Sequence, residues 1–262
     1  MRPQDLAVQA ARAAGDILRD RRLGSRQVRS KGPGVDLVTQ YDEACEAAIR
    51  DVLTRGMPGV AVLGEEGGGG ANDAERWVVD PLDGTNNFVH GIPWYSVSVA
   101  LEVSGRVEVG VVYDPIRDVA YEATRGEGAW CRGQPLQVGS QTNLSEAMVA
   151  TGFPTDRRER PERYMQVLQR VLPRVRGVRR MGSAALDLAM VAAGQMDAFW
   201  EEDLARWDVA AGVLLVEEAG GVVSQLSGGP VQLASPAPVA GNAVLHDQLI
   251  RLVQEGLSGR SR

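Results

Sequence analysis

The pattern that most constrains the fold is a change near residue 140. Between Trp94 and Gln137 the chain runs as short β-type stretches, "YSVSVALEV", "RVEVGVVYD" and "VAYEATRG", joined by the tight connections "SGR" and "DPIRD". Apolar runs with turns that short predict an antiparallel meander. After Ser145 strand and helix patterns alternate instead. "AMVATGF" precedes the helical "PERYMQVLQRVL", "VRRMG" precedes "SAALDLAMVAAG", and "MDAFWE" precedes "WDVAAGVLLVEEAG" and the strand "GVVSQL". That order predicts an α/β half. A chain of 262 residues can hold both parts around one continuous body. The expected organisation is one unit over 1–262, with an α+β half at 1–140 and an α/β half at 141–262, and no repeat or low-complexity linker between them.

The segments before the meander read more locally. "MRPQDLAVQAARAAGDILRD" places Leu6, Ala10, Ala13, Ala14, Ile17 and Leu18 at helical spacing, so an amphipathic helix is expected. It lacks the apolar core of a signal peptide, and no run in the chain is long enough to span a bilayer. "RRLGSRQVRSKGPGVD" has no periodicity and reads as a loop with solvated arginines. A second helix is expected from about Asp42 to Leu53, stopped by "RGMPG". "VAVLG" reads as a short strand opening into the glycine-rich "EEGGGGANDAE", which is expected to be mobile. The net charge of -6 supplies no general attraction to nucleic acid or an anionic membrane. Cys45 and Cys131 have no metal-ligand spacing, and reduced thiols in a cytoplasmic protein are expected.

The chemistry-bearing residues are acids at the ends of predicted elements. "WVVDPLDGTNNFVHG" carries Asp80 and Asp83 where an apolar strand leaves the core. "GEE" carries Glu65 and Glu66, Asp42 follows "DLVTQY", and Asp208 lies in "RWDVAAG". Carboxylates at strand C-termini stand where α/β sheets place their sites. Pro81 fixes the backbone direction, Gly84 permits a tight turn, and "DGT" reads as the first turn of a helix whose amides could hold an anion. Each acid also fits a plain role: Asp80 or Asp83 as a cap, Glu65 and Glu66 as solvated loop charge, Asp42 and Asp208 as first-turn acids. It is their joint presence that points to a shared site. Oxygen-only ligands favour a hard cation such as Mg²⁺ over zinc, and two such ions between shared carboxylates suit phosphoryl transfer to water. The histidines, His90 and His246, suggest no pair.

With those residues in hand, the chain resembles the inositol monophosphatase family of Mg²⁺-dependent, lithium-sensitive phosphatases. "GEE", "WVVDPLDGTNNFVHG" and "WDVAAGVLLVEEAGG" match its three signature regions in order, and the likeness runs from about Leu6 to Val253. The resemblance implies a layered αβαβα sandwich, of the inositol monophosphatase and fructose-1,6-bisphosphatase type. It implies that Glu65, Asp80 and the Leu82 carbonyl hold a first Mg²⁺, and that Asp80, Asp83 and Asp208 hold a second. A weaker third ion would touch Glu65 and waters near Glu66. Thr85, oriented by Asp42, would help Glu65 position and deprotonate the attacking water. The amides of Gly84 and Thr85 would bind phosphate, Glu201 would bind the hydroxyls of the substrate, and Ser183 and Ala184 would line its pocket. Lys31 matches a lysine on a mobile loop near the metals. A homodimer is implied as well.

The expected reaction is hydrolysis of inositol 1-phosphate or a similar polyol or sugar phosphate, with fructose 1,6-bisphosphate and NADP(H) as alternative substrates. A different class of role also follows from the resemblance, since some bacterial relatives act in transcription complexes. "TDRRERPER" and "PRVRGVRR" would supply a basic patch for it, although such runs are ordinarily plain surface.

Overall fold

The computed structural model describes residues 1–20, 28–30, 37–69, 74–153 and 157–258, with backbone alone at 28–30 and 37–39. Helix α1 (Pro3–Asp20) is followed by an antiparallel ribbon of β1 (Val28–Ser30) and β2 (Leu37–Thr39), and then by α2 (Gln40–Gly56). The next strands are β3 (Ala61–Gly64) and β4 (Glu75–Asp83), with the short helix α3 (Thr85–His90) after them. The meander continues as β5 (Ser96–Val103), β6 (Arg106–Asp114), β7 (Val119–Thr124), β8 (Gly128–Cys131) and β9 (Gln134–Pro135). Strands β3 to β9 form one seven-stranded sheet in chain order. Only its first pair, β3 with β4, is parallel.

The second part alternates as the sequence predicts: β10 (Met148–Thr151), α4 (Pro161–Val171), β11 (Gly177–Arg179), α5 (Ala184–Ala192), β12 (Ala198–Trp200), α6 (Arg206–Glu218) and β13 (Val222–Gln225). It ends with β14 (Pro238–Gly241) and α7 (Ala243–Leu257). These strands form a five-stranded sheet in the order β11-β10-β12-β14-β13. β10 is parallel to β11 and β12, and β14 is antiparallel to β12 and β13.

Three apolar clusters explain the layering. Leu6, Ala10, Ala14 and Leu18 of α1 and Cys45, Ile49 and Leu53 of α2 pack on Val97, Val99, Val111 and Tyr113 of the first sheet. Val78 of β4, Ala100 of β5 and Val112 of β6, on the other face of the same sheet, point the other way onto α5 and α6. Phe199 and Ala240 close that middle cluster from the second sheet. Val149, Trp200 and Val239 on the far face of the second sheet meet Val167 of α4 and Leu245 and Leu249 of α7. The result is the predicted αβαβα sandwich. Helix α5 is buried along its whole length because it sits between two sheets.

Several local readings change. The stretch read as one loop after α1 contains β1, which three residues and no periodicity could not announce. α2 begins at Gln40 and runs to Gly56, past both expected ends. β14 and α7 were not anticipated. The signal for α7 was present: Asn242 caps it by accepting from the Val244 and Leu245 amides, and Leu245, Leu249 and Val253 recur every fourth residue. Both cysteines are free thiols, as expected, with Cys45 buried and Cys131 half-buried. Among the described residues no helix is long and apolar enough to cross a membrane.

Candidate active site

Asp80 and Asp83 are two acids three apart on one strand. In a regular strand, residues three apart face opposite sides. Here β4 carries an irregularity: Asp80 pairs with Ser98 and Asp83 with Ser96, so three steps on β4 match two on β5. Pro81 has no N–H for the ladder, and a bulge is where a strand tolerates that. The bulge brings Asp80 and Asp83 to the wall of one cavity. Gly84 follows with φ of +97°, in the left-handed region, and turns the chain into α3.

Other elements complete the wall. Glu65 reaches it from the turn after β3, Asp208 from the first turn of α6, Glu201 from the end of β12, and Ser183 and Ala184 from the start of α5. The cavity is about 280 Å³. A larger one, about 510 Å³, is lined by Arg106, Arg125, Glu217 and Ser224, and it has no comparable cluster of acids. Chemistry and not size therefore selects the site.

The acidic oxygens are held firmly. Asp80 Oδ1 accepts from the Leu82 amide at 2.9 Å. Asp83 Oδ2 accepts from Ser183 Oγ at 2.6 Å and the Ala185 amide at 2.8 Å, so it anchors the N-terminus of α5. Asp208 Oδ2 accepts from the Ala205 amide at 2.7 Å. Thr85 Oγ1 lies 3.0 Å from both Asp42 Oδ1 and the Leu82 carbonyl, and its one proton serves one acceptor at a time. Asp42 is buried in the first turn of α2, where it fits a helix start and also accepts from Thr85.

This concentration of buried negative charge has a cost. Burial, and then the charges of Glu65, Asp83 and Asp208, pushes the Asp80 carboxyl well above the usual carboxylate range. Burial and the Asp83 charge push Asp208 up as well, while the Ala205 amide opposes the rise. Burial raises Asp83 to about 6, with its donors holding it back from going higher. Groups like these need either protons or cations beside them. Among the described residues no three His, Cys, Asp or Glu side chains stand together as ready metal ligands. The donor set itself is all oxygen, dense in charge and free of Cys and His, which fits a hard divalent cation.

Glu201 is buried, and burial followed by the charges of Asp187 and Asp208 raises its carboxyl, while Arg180 opposes the rise. Gly152 makes its position possible, since a Cβ there would overlap the Glu201 carboxylate. Glu66 is not in the cavity wall, and Lys31 lies outside the described residues, as do Pro154 and Gly70 to Asp73.

The sequence reading missed part of the wall. Arg157 and Arg180, read as surface in "TDRRERPER" and "PRVRGVRR", line the cavity with Phe153 and Trp207. The Arg180 guanidinium lies over the Phe153 ring, 5.2 Å from its centre. Burial and the neighbouring Arg180 charge lower the Arg157 pKa. These residues follow β10 and β11, and only the pairing of those two strands brings them together.

A bulged strand of acids beside a helix N-terminus is a setting that suits metal-assisted chemistry on an anion, and comparison with known proteins gives the class. The sequence profile of the Inositol monophosphatase family matches residues 3–258, and the chain belongs to that family. It is 45% identical to an inositol-1-monophosphatase of Mesorhizobium japonicum, over 98% of this chain and 97% of that protein. It is 41% identical to the Nus factor SuhB of Pseudomonas aeruginosa, over 97% and 96%. The crystal structure of the extragenic suppressor protein suhB from Bartonella henselae superposes with a TM-score of 0.91 at 41% identity, covering 96% of this chain and 98% of that one. The chain is a phosphoric monoester hydrolase of a family that is generally metal-dependent.

Proposed function

We propose that this hydrolase releases phosphate from inositol 1-phosphate, or a closely similar polyol phosphate, with Mg²⁺ held by Glu65, Asp80, Asp83, Asp208 and the Leu82 carbonyl. Two to three ions would supply the charge that neutralises the phosphate and lowers the pKa of a bound water. The observation that carries this reading is the β4 bulge, which turns Asp80 and Asp83 into a cavity shared with Glu65 and Asp208. Glu65 would take the proton of the attacking water. Thr85 would orient that water, its hydroxyl fixed between Asp42 and the Leu82 carbonyl. The Gly84 and Thr85 amides would hold phosphate oxygens. Glu201 would accept hydrogen bonds from the hydroxyls of the leaving alcohol. Ser183 and Ala184 would support the reaction by fixing Asp83 and lining the pocket. We take the assembly to be a homodimer, in the cytoplasm.

The test is phosphate release, with and without Mg²⁺, from inositol 1-phosphate, fructose 1,6-bisphosphate, NADP⁺ and adenosine 3',5'-bisphosphate. Preference for inositol 1-phosphate is expected; preference for another of the four would reassign the substrate. A second reading, a regulatory role, is supported by the relatives named Nus factor SuhB. A pull-down of transcription proteins that survives Asp83→Asn would favour it.

A further inference from the structure

Glu46 stands outside the cavity wall, yet it is almost fully buried, at 3% exposure. Its carboxylate fills the inside of the turn that presents Glu65. Oε2 accepts from the Glu66 amide at 2.8 Å, and Oε1 accepts from the Gly67 amide at 2.9 Å. Oε1 also accepts from Arg50 Nε at 2.8 Å, one helical turn along α2. Arg50 then joins the strand before the turn to the turn's last residue, donating to the Val62 carbonyl at 2.8 Å and the Gly68 carbonyl at 2.7 Å. The turn itself is closed by a bridge between Gly64 and Gly68.

The glycines around Glu65 match this arrangement. A Cβ on Gly64 would overlap the Glu46 carboxylate, and one on Gly67 would lie 2.5 Å from Oε1. Glycine at these places is a matter of room for a charged side chain. The same helix does the same for Thr85. Asp42 and Glu46 are four residues apart, so they lie on one face of α2, and both are buried. Asp42 bonds the Thr85 hydroxyl, while Glu46 bonds the Glu65 turn.

We infer that Glu46 is a positioning residue for the reaction: with Arg50 it clamps the Gly64–Gly68 turn, so that α2 sets the spacing between Glu65 and Thr85. The inference rests on the proposed place of Glu65 and Thr85 at the attacking water. Charge-assisted hydrogen bonds to backbone amides are strong and directional, which suits them to holding a turn at fixed height. A glutamine at 46 keeps the size but presents an NH₂ to a set of three donors, so one of those bonds must fail.

The experiment compares Glu46→Gln, Gly67→Ala and Glu65→Gln with the wild-type chain. Three readouts are taken: steady-state hydrolysis of inositol 1-phosphate, calorimetric titration with Mg²⁺ alone, and amide exchange at Glu66 to Gly68. Glu46→Gln should lower kcat by about 10- to 100-fold and weaken Mg²⁺ by about 10-fold, with KM within about twofold. Exchange should speed up in the turn and stay unchanged in β5 and β6. Gly67→Ala should reproduce this with the carboxylate intact, and it decides the matter if Glu46→Gln does not fold. Wild-type kcat and Mg²⁺ affinity in both folded variants would overturn the clamp while leaving the proposed function standing. Full activity in Glu65→Gln would instead remove Glu65 from the reaction, and the clamp's purpose with it.

Discussion

The two sheets contribute to the cavity in different ways. The seven-stranded sheet, the turn into α3 and helix α2 supply Glu65, Asp80, Asp83, Thr85 and Asp42; a strand bulge sets Asp80 and Asp83, and a hydrogen bond joins Thr85 to Asp42. The five-stranded sheet supplies Glu201 at a strand end, and Phe153, Arg157 and Arg180 from the segments after its strands. In the proposed reaction the first set handles phosphate and water, and the second reads the leaving alcohol. Asp208 and Asp83 sit at the seam: Asp208 belongs to α6, and Asp83 reaches over to cap α5. The difference suggests why chemistry can stay fixed in a fold like this while substrate choice varies. Changing a bulged strand end that also anchors a helix disturbs the whole site, whereas changing a loop at the mouth disturbs one contact.

The largest test of that division is Asp83→Asn. The amide oxygen can still accept from Ser183 and Ala185, so the fold should survive, while the loss of charge should lower kcat about 1000-fold. Steady-state kinetics beside a circular dichroism spectrum checks both halves of the expectation. Full activity would remove Asp83 from the site.

The seam is probed by Glu102→Gln. Glu102 of β5 is buried, accepts from Arg76 at 2.8 Å, and accepts from Arg206 at 2.9 and 2.7 Å with its two oxygens. Arg206 begins α6, so this ion cluster ties the Asp208 helix to the first sheet. Breaking it should cost about 3 kcal/mol at pH 7 in a denaturant titration. Burial raises the Glu102 carboxyl, but Arg76 and Arg206 outweigh it and hold the pKa below the ordinary 4.5. A carboxyl lowered on folding adds stability above its unfolded value and loses it as pH falls through the folded one. The wild-type chain should therefore lose this contribution below pH 4.5, and Glu102→Gln should show a shallower acid limb.

On the alcohol side, Gly152→Ala should displace the Glu201 carboxylate it would overlap. The expected result is a KM for inositol 1-phosphate raised about 10-fold with kcat within about threefold, the signature of lost uniform binding. An equal fall in kcat would mean that the two sheets do not divide the work. The smallest effect is expected for Asn242→Ala, which removes the cap of α7 far from the cavity. It should cost about 1 kcal/mol of stability and leave kinetic constants unchanged.

Much of the first sheet's contribution was legible in the sequence. Asp80, Pro81, Asp83 and Gly84 are local, and a proline before a turn after an apolar run announces a bulge or a strand end. The meander and the alternating half were legible for the same reason, because period and turn length are properties of a few consecutive residues. Arg157, Arg180 and Phe153 were not, since their meeting depends on strand order. Glu46 is not singled out by the sequence, since four residues before Arg50 it has the spacing of any helix pair. Its meaning required the turn that folds onto it: Gly64, read as the end of a strand, and Gly67, read as part of a mobile run, both make room for a carboxylate.

The most direct test of the account is phosphate release from inositol 1-phosphate as Mg²⁺ is titrated into metal-free wild-type and Asp83→Asn protein. The account predicts no release without Mg²⁺, saturable release in the wild-type chain, and about 1000-fold less in the variant at every Mg²⁺ concentration. Release that is independent of Mg²⁺, or equal in the two proteins, would contradict it.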